Sequence, residues 1–178
     1  GEDYEAMLTM CDRYLSMEAS LPEGESEWLL QQKLVALLQS KRAEEALVLL
    51  EKAPDDKVFN EQRVLIMLEL GETDRAIAFL EEWSAISGDR EQTIRLQVRA
   101  YRDARNVEAM NERLAVLRKM RPADPRTLAY AVVQQYLAEV PELARASLDD
   151  FFFRFSGFEA NMKMIAAPLA EIGAVELL

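Results

Sequence analysis

A short segment that recurs along the chain limits the folds open to it. Each copy sets a helix-forming, apolar pattern around an alanine, as in GETDRAIAFLEEW at 71–83. The aligned alanines are Ala6, Ala46, Ala76, Ala109 and Ala144. Their spacings of 40, 30, 33 and 35 residues scatter about a period in the mid thirties, which is typical of a solenoid of helical hairpins. The chain is therefore predicted to be a helical-repeat protein.

The segments between these copies have a helical periodicity of their own. Leu30, Leu34 and Leu37 share one helical face in the segment 27–40, and equivalent apolar stripes follow further along. Good helix formers dominate the composition, and Gly and Pro number only six each. We predict an all-α fold, an α–α superhelix of antiparallel helix hairpins with about nine to ten helices.

Turn and capping residues predict where the helices begin and end. Gly71 and Gly88 are suited to helix C-termini through a positive φ, and Asp89 and Asp124 to helix N-caps. The predicted organisation is a single array over 1–178: a second helix without its first at 1–17, hairpins at 25–54, 57–87, 89–121 and 124–156, and a first helix without its second at 158–178. The two unpaired helices imply that they act as caps or that the array continues beyond this sequence.

A small residue in each second helix has a physical purpose. An alanine lets two helix axes approach closely, whereas a leucine there would cost about 1–3 kcal/mol through overpacking. We therefore expect the aligned alanines to lie at helix contacts.

The segment around Gly71 resembles the tetratricopeptide repeat (TPR) family. Gly71, Ala76 and Leu80 match the turn glycine and the small and large apolar positions of its 34-residue unit, and Ala53 and Pro54 match the end of the preceding unit. The first-helix half departs from the family, with leucines where a Trp, a small residue and a Tyr are usual. The resemblance covers most of the chain in degenerate form. It implies a concave groove, lined by first helices, that binds a peptide or protein segment.

One groove type in that family clamps a C-terminal carboxylate with Lys and Asn at set positions of successive first helices. The corresponding positions here hold Gln31, Val35, Glu61 and Leu65. A receptor for chaperone tails is therefore not predicted.

The absence of histidine weighs against catalysis. It removes the commonest general base near neutral pH and the most frequent zinc ligand, and only one cysteine, Cys11, is present. We predict a non-enzymatic protein with no metal and no cofactor.

The basic residues are concentrated in one predicted hairpin. Residues 89–126 hold 10 of the 21 Lys and Arg residues, although the whole chain has a net charge of −11. Clustered guanidinium groups suit carboxylates, and tyrosines supply apolar contact. The predicted binding residues for an acidic peptide are Arg95, Arg99, Arg102, Arg126, Tyr101 and Tyr130, with Tyr136 beside them. The alternative is a solvated face whose arginines pair with acidic neighbouring helices.

Five of the seven phenylalanines lie in the segment DDFFFRFSGF. A helix cannot bury three consecutive rings on one narrow stripe, so at least one should reach a neighbouring element or solvent. Phe151, Phe152, Phe155 and Phe158 are candidate interface residues, and the alternative is packing under the C-terminal helix. The methionines around Cys11, namely Met7, Met10 and Met17, are predicted to pack in the core.

The sequence predicts a scaffold that binds a partner polypeptide, with an acidic segment favoured, in a concave groove. A self-assembling structural module, and thus a homo-oligomer, is one alternative; an accessory domain of a larger enzyme or of a secretion or assembly complex is another. Nucleic acid is not expected, because the net negative charge opposes phosphate. No segment is apolar enough to span a membrane, so a soluble cytoplasmic or periplasmic chain is expected, and a targeting signal before Gly1 stays open.

Overall fold

The computed structural model describes residues 3–17, 22, 24–155, 157 and 159–177. Ten α-helices lie within these residues, and no strand does, so the all-α prediction is confirmed. The helices are α1 Tyr4–Leu15, α2 Glu25–Gln39, α3 Ala43–Glu51, α4 Lys57–Glu69, α5 Thr73–Ile86, α6 Arg90–Asp103, α7 Val107–Met120, α8 Pro125–Leu137, α9 Pro141–Phe155 and α10 Glu159–Glu171, followed by a 3₁₀ turn, Val175–Leu177.

Every second helix end closes in the same way and reveals the period. The backbone has a positive φ at Lys41, Gly71, Arg105, Glu139 and Gly173, which gives one interval of 30 residues and then three of 34. At each of these ends the following N–H bonds back across the last turn, as from Glu72 to the carbonyl of Met67 at 2.8 Å. This is the Schellman pattern, which satisfies carbonyl groups at the helix end. The even-numbered helices are thus the first helices of successive repeats.

The residue five places after each of these turns is buried. These residues are Ala46, Ala76, Met110 and Ala144, none of which has measurable exposure. Aligning on Ala109 was therefore wrong by one residue, because α7 carries a methionine at the small-residue position and Ala109 is only half-buried. Ala6 was also wrongly expected at a helix contact, since it is exposed to solvent on α1.

The predicted N-caps are confirmed. The Asp89 carboxylate accepts from the N–H of Gln92 at 3.1 Å, and that of Asp124 accepts from the N–H of Thr127 at 2.9 Å. These bonds satisfy donors that the first helical turn leaves free. Gly88, by contrast, has no positive φ, so its predicted role as a left-handed cap is wrong.

The chain divides into two compact units, residues 1–76 and 77–178. In the first unit, successive helices from α1 to α4 pack as neighbours around Leu8, Leu34 and Leu50. Arg63 on α4 donates to the carbonyls of Leu50 and Ala53, at 2.6 Å and 2.7 Å, and so caps the end of α3. The turn after α3 is held without glycine in this way.

The second unit is built on one apolar cluster that runs from α6 to α10. Its largest wholly buried members include Met110, Leu114, Leu148, Phe151 and Ile165. α6 packs on α7, and α8 packs on both α9 and α10. The first helices α6, α8 and α10 are thereby held on a common core.

Across the part of the chain that the structure describes, we find no helix with the length and apolar content needed to span a membrane.

Candidate partner-binding face

The three arginines of α6 lie on one side of that helix. Arg95, Arg99 and Arg102 are spaced four and three residues apart, so their side chains leave the same helical face. α8 presents Arg126 and Tyr130, four residues apart, on one face of the next first helix. We call these five residues and the adjoining surface of α10 the arginine face.

Two of the arginines are already engaged with carboxylates of the chain. Arg95 bonds Glu91 at 2.6 Å and Asp124 at 3.3 Å. Burial lowers the pKa of Arg95, but the hydrogen bond to Glu91 and the charge of Asp124 outweigh burial and raise it overall. Arg102 is buried and bonds Asp103 at 2.6 Å. These two cations organise the face and do not offer free donors.

Arg99 differs from its two neighbours on the helix. Its Nε is buried and has no hydrogen-bond partner, and among the described residues no carboxylate forms an ion pair with it. A buried N–H donor without an acceptor is unfavourable by about 1–3 kcal/mol. Arg99 is therefore the residue on this face whose bonding is incomplete.

Arg126 and Tyr130 border a small pocket between α8 and α10. The pocket has a volume of about 200 Å³ and is completed by Ala129, Met164 and Pro168. Arg126 is exposed and has no ion-pair partner in the part of the chain described here. Burial raises the pKa of Tyr130, and the nearby Arg102 and Arg99 guanidinium groups counteract part of that rise. The pocket thus joins a free cation to an apolar wall.

Two of the predicted tyrosines lie elsewhere. Tyr101 is buried, and its hydroxyl donates to Glu81 on α5 at 3.2 Å. Burial, followed by the charge of Glu81, raises the pKa of Tyr101. The Tyr136 hydroxyl donates to Glu176 beyond α10. Neither hydroxyl is directed to the arginine face.

The phenylalanines of α9 divide between core and solvent. Phe151 is wholly buried, and its ring lies 6.3 Å from that of Phe152 and 5.1 Å from that of Phe155, centroid to centroid. Phe152 and Phe155 are partly buried against the same core as Ile165. Phe153, which was not singled out, is 89% exposed. Phe158 lies outside the described residues.

Sequence reasoning missed an apolar surface on the first unit. Four large side chains of α1 and α2 are each between 46% and 54% exposed: Met10, Tyr14, Trp28 and Val35. The prediction that Met10 and Met17 pack in the core is wrong, because both are exposed, whereas Cys11 is wholly buried. The available signal was the spacing of seven residues between Trp28 and Val35, which places both on one face of α2.

The largest pocket of the first unit is lined by opposite charges that neutralise one another. It has a volume of about 540 Å³ and lies among α1, α2 and α3. Lys33 pairs with Asp12, and Arg42 pairs with Glu5 at 3.1 Å and Glu45 at 2.6 Å. Its cations therefore have partners within the chain.

Among solved structures, a chain of MamA ("MamA MSR-1 C2") has a similar fold. The TM-score is 0.55 and the sequence identity 17%, over 83% of this chain and 87% of that one. No protein-family model and no curated protein matches the sequence. At such low identity the similarity concerns the fold alone, and it confirms the TPR-like helical-repeat architecture.

Proposed function

We propose that this chain is a non-enzymatic interaction scaffold that binds an acidic segment of a partner polypeptide on the arginine face. The observation that carries the proposal is the buried Nε of Arg99, which lacks an acceptor. Stacked helical repeats present extended surfaces for binding, so the fold suits this function. The lack of histidine, noted above, disfavours catalysis.

A carboxylate is the ligand that this site suits best. A guanidinium group binds a carboxylate through two parallel N–H···O bonds, and such charge-assisted bonds are stronger than neutral ones. A partner carboxylate at Arg99 would supply the missing acceptor. Arg126 offers a second cation, and the pocket between Tyr130 and Met164 accepts an adjacent apolar side chain.

Arg95 and Arg102 have a supporting role in this proposal. Both are held by carboxylates of the chain, so reversing their charge would disturb α6, α8 and α10 before it affected any ligand. Variants of Arg99 and Arg126 are therefore the sharper test, because neither breaks an ion pair of the described residues.

The test uses short synthetic peptides in which Glu and Leu alternate, with Gln–Leu peptides of the same length as the neutral control. Fluorescence anisotropy should show binding of the acidic peptide that weakens with added salt. Arg99→Gln combined with Arg126→Gln should weaken it by about tenfold or more. The matched control, Arg118→Gln with Lys119→Gln, removes two exposed cations from α7 and should bind as the unaltered chain does.

Equal binding of the acidic and neutral peptides would contradict the proposal. So would equal losses in the two double variants, since binding would then follow net charge and not the arginine face.

Self-assembly is a second candidate, favoured by one observation. Phe153 is the most exposed large apolar side chain among those described, and a ring so placed gains by burial against another surface. A contact between copies through α9 would bury it.

A further inference from the structure

An open apolar groove lies along the hairpin of α1 and α2. Two pockets occupy it: one of about 380 Å³ is lined by Met10, Tyr14 and Trp28, and one of about 650 Å³ by Met7 and Val35. Met7 and Tyr14 are seven residues apart, as are Trp28 and Val35, so each pair shares a helical face. The two pockets therefore follow one another along the same groove.

The repeats show what normally covers this side of a second helix. α1 has the register of the odd-numbered helices, counted from its first residue. The fourth residue is wholly buried in α3, α5, α7 and α9, whereas its counterpart in α1, Met7, is half-buried. The eleventh residue is buried in α5, α7 and α9, as Trp83, Leu117 and Phe151, but it is the exposed Tyr14 in α1. The side of α1 left open is the side that these helices bury.

The second unit contains an occupied version of the same groove. There α8 lies against both α9 and α10, and α6 lies against α7. The buried residues of α8 are small or β-branched, including Ala129, Ala131 and Val132. An α-helix with an apolar face of such residues thus has the shape that the groove between α1 and α2 accepts.

The charges around the open groove indicate the chemistry of its occupant. α1 and α2 carry four carboxylates and two cations, and one of those cations, Lys33, is paired with Asp12. Asp3 and Glu25 lie in the lining of the two pockets. A helix with Lys or Arg beside its apolar face is favoured by this field. Helix α10 of a second copy is not, because it carries two glutamates and one lysine.

We propose that the groove between α1 and α2 is the docking site for an amphipathic α-helix of a partner protein, with a basic margin on either side of its apolar face. The helix takes the place that α8 holds against α9 and α10. This surface is separate from the arginine face, so the two proposals stand or fall independently.

Two synthetic peptides serve as probes. Both carry the same Leu, Val and Ala residues on one helical face, with lysines on the margins in one peptide and glutamates in the other. Of the two tryptophans, Trp83 is already buried, so a change in emission reports Trp28. The lysine peptide should shift this emission to the blue and saturate, and the glutamate peptide should bind about tenfold more weakly or not at all.

Variants then place the binding site. Met10→Glu with Val35→Glu should weaken binding of the lysine peptide by about tenfold or more, because two charges enter the apolar groove. Val48→Glu alters an equally exposed valine on α3 and should have no effect. Arg99→Gln with Arg126→Gln should also leave this binding unchanged.

Three results would overturn the proposal. The first is that neither peptide, or both equally, shifts the emission. The second is a loss of binding in Val48→Glu as large as in the groove variant. The third is a concentration-dependent dimer, measured by light scattering, that Met10→Glu with Val35→Glu abolishes, since a second copy would then occupy the groove.

Discussion

Arg102 on α6 forms an ion pair with Glu171 on α10, with 2.7 Å between Nη2 and Oε2, across 69 residues of sequence. The same nitrogen bonds the adjacent Asp103 at 2.6 Å. The arginine side chain is buried, whereas that of Glu171 is half exposed. A buried guanidinium needs such partners, so this pair fixes α10 relative to α6 and defines one end of the arginine face.

The two members of this pair should differ in their effect on stability. Glu171→Gln should reduce the free energy of unfolding by less than about 1 kcal/mol, because Glu171 is exposed and Asp103 still pairs with the arginine. Arg102→Ala should cost about 2–3 kcal/mol, since it removes buried packing as well as both ion pairs. Urea unfolding followed by circular dichroism measures both. Equal losses would show that Glu171 carries the stability of the contact.

The backbone conformation at the repeat boundary is tested by two glycines. A Cβ added at Gly71 or at Gly88 meets no atom within 4 Å, so neither change causes a clash. Only Gly71 has a positive φ, of 76°. Gly71→Ala should therefore lower the free energy of unfolding by about 1–2 kcal/mol, whereas Gly88→Ala should be neutral or slightly stabilising. Thermal unfolding of the two variants side by side decides the matter.

The register of α7 predicts a contrast between neighbouring residues. Met110→Ala should cost about 2–5 kcal/mol, because it leaves a cavity at a wholly buried position. Ala109→Ser should cost less than about 1 kcal/mol, since Ala109 is half-buried and serine is a slightly weaker helix former. Chemical denaturation of both variants is the measurement, and the reverse order would restore the alignment on Ala109.

Glu91 should make the second unit sensitive to acid. Hydrogen bonds from Arg95 and then from Arg121 hold the pKa of Glu91 below its ordinary value. Its stabilising effect is therefore complete above the pKa of an unfolded glutamate, about 4.3, and is lost as the pH falls through the lower folded-state pKa. Glu91→Gln should be less stable than the unaltered chain at neutral pH, and the difference should vanish in acid. Urea midpoints across this pH range test it.

Glu112→Gln is the control for that series. Glu112 is exposed on α7 and forms no ion pair among the described residues, so this variant should follow the unaltered chain at every pH. A gap between the Glu91 variant and the unaltered chain that does not narrow in acid would rule out the carboxylate as its source.

Self-association through α9 should depend on Phe153 and not on its neighbours. Phe153→Ser removes an exposed ring and should leave the free energy of unfolding within about 0.5 kcal/mol of its original value. If copies meet through α9, light scattering should show a lower mass for this variant at high concentration. Phe151→Ala should instead unfold the core by about 3–5 kcal/mol. An assembly whose mass is unchanged in Phe153→Ser does not use this ring.

The features that were predictable from the sequence are those set by local periodicity. Apolar spacing and capping residues such as Asp89 and Asp124 placed the helices, because both act within one or two turns. The phase of α7 was not found, since Met110 occupies a position at which an alanine was sought. Lys41, Arg105 and Glu139 likewise gave no signal, because residues other than glycine rarely adopt a positive φ.

The partners of the arginines could not be predicted for a different reason. Spacing placed Arg95, Arg99 and Arg102 on one face, as the structure has them. Which carboxylate each one meets depends on distances between helices that are remote in sequence, as for Glu171. The open groove of α1 and α2 was hidden similarly, since exposure of Trp28 depends on what packs beside it and not on its own segment.

The identical left-handed junctions at Arg105, Glu139 and Gly173 bear on how such a gene can change in length. Excising or duplicating a block of 34 residues, such as 106–139, joins two seams of the same backbone geometry. The joined chain needs no new turn, and each flanking helix meets a neighbour of familiar register. Gain and loss of whole blocks is therefore an easier evolutionary path for this protein than insertion of a few residues within a helix.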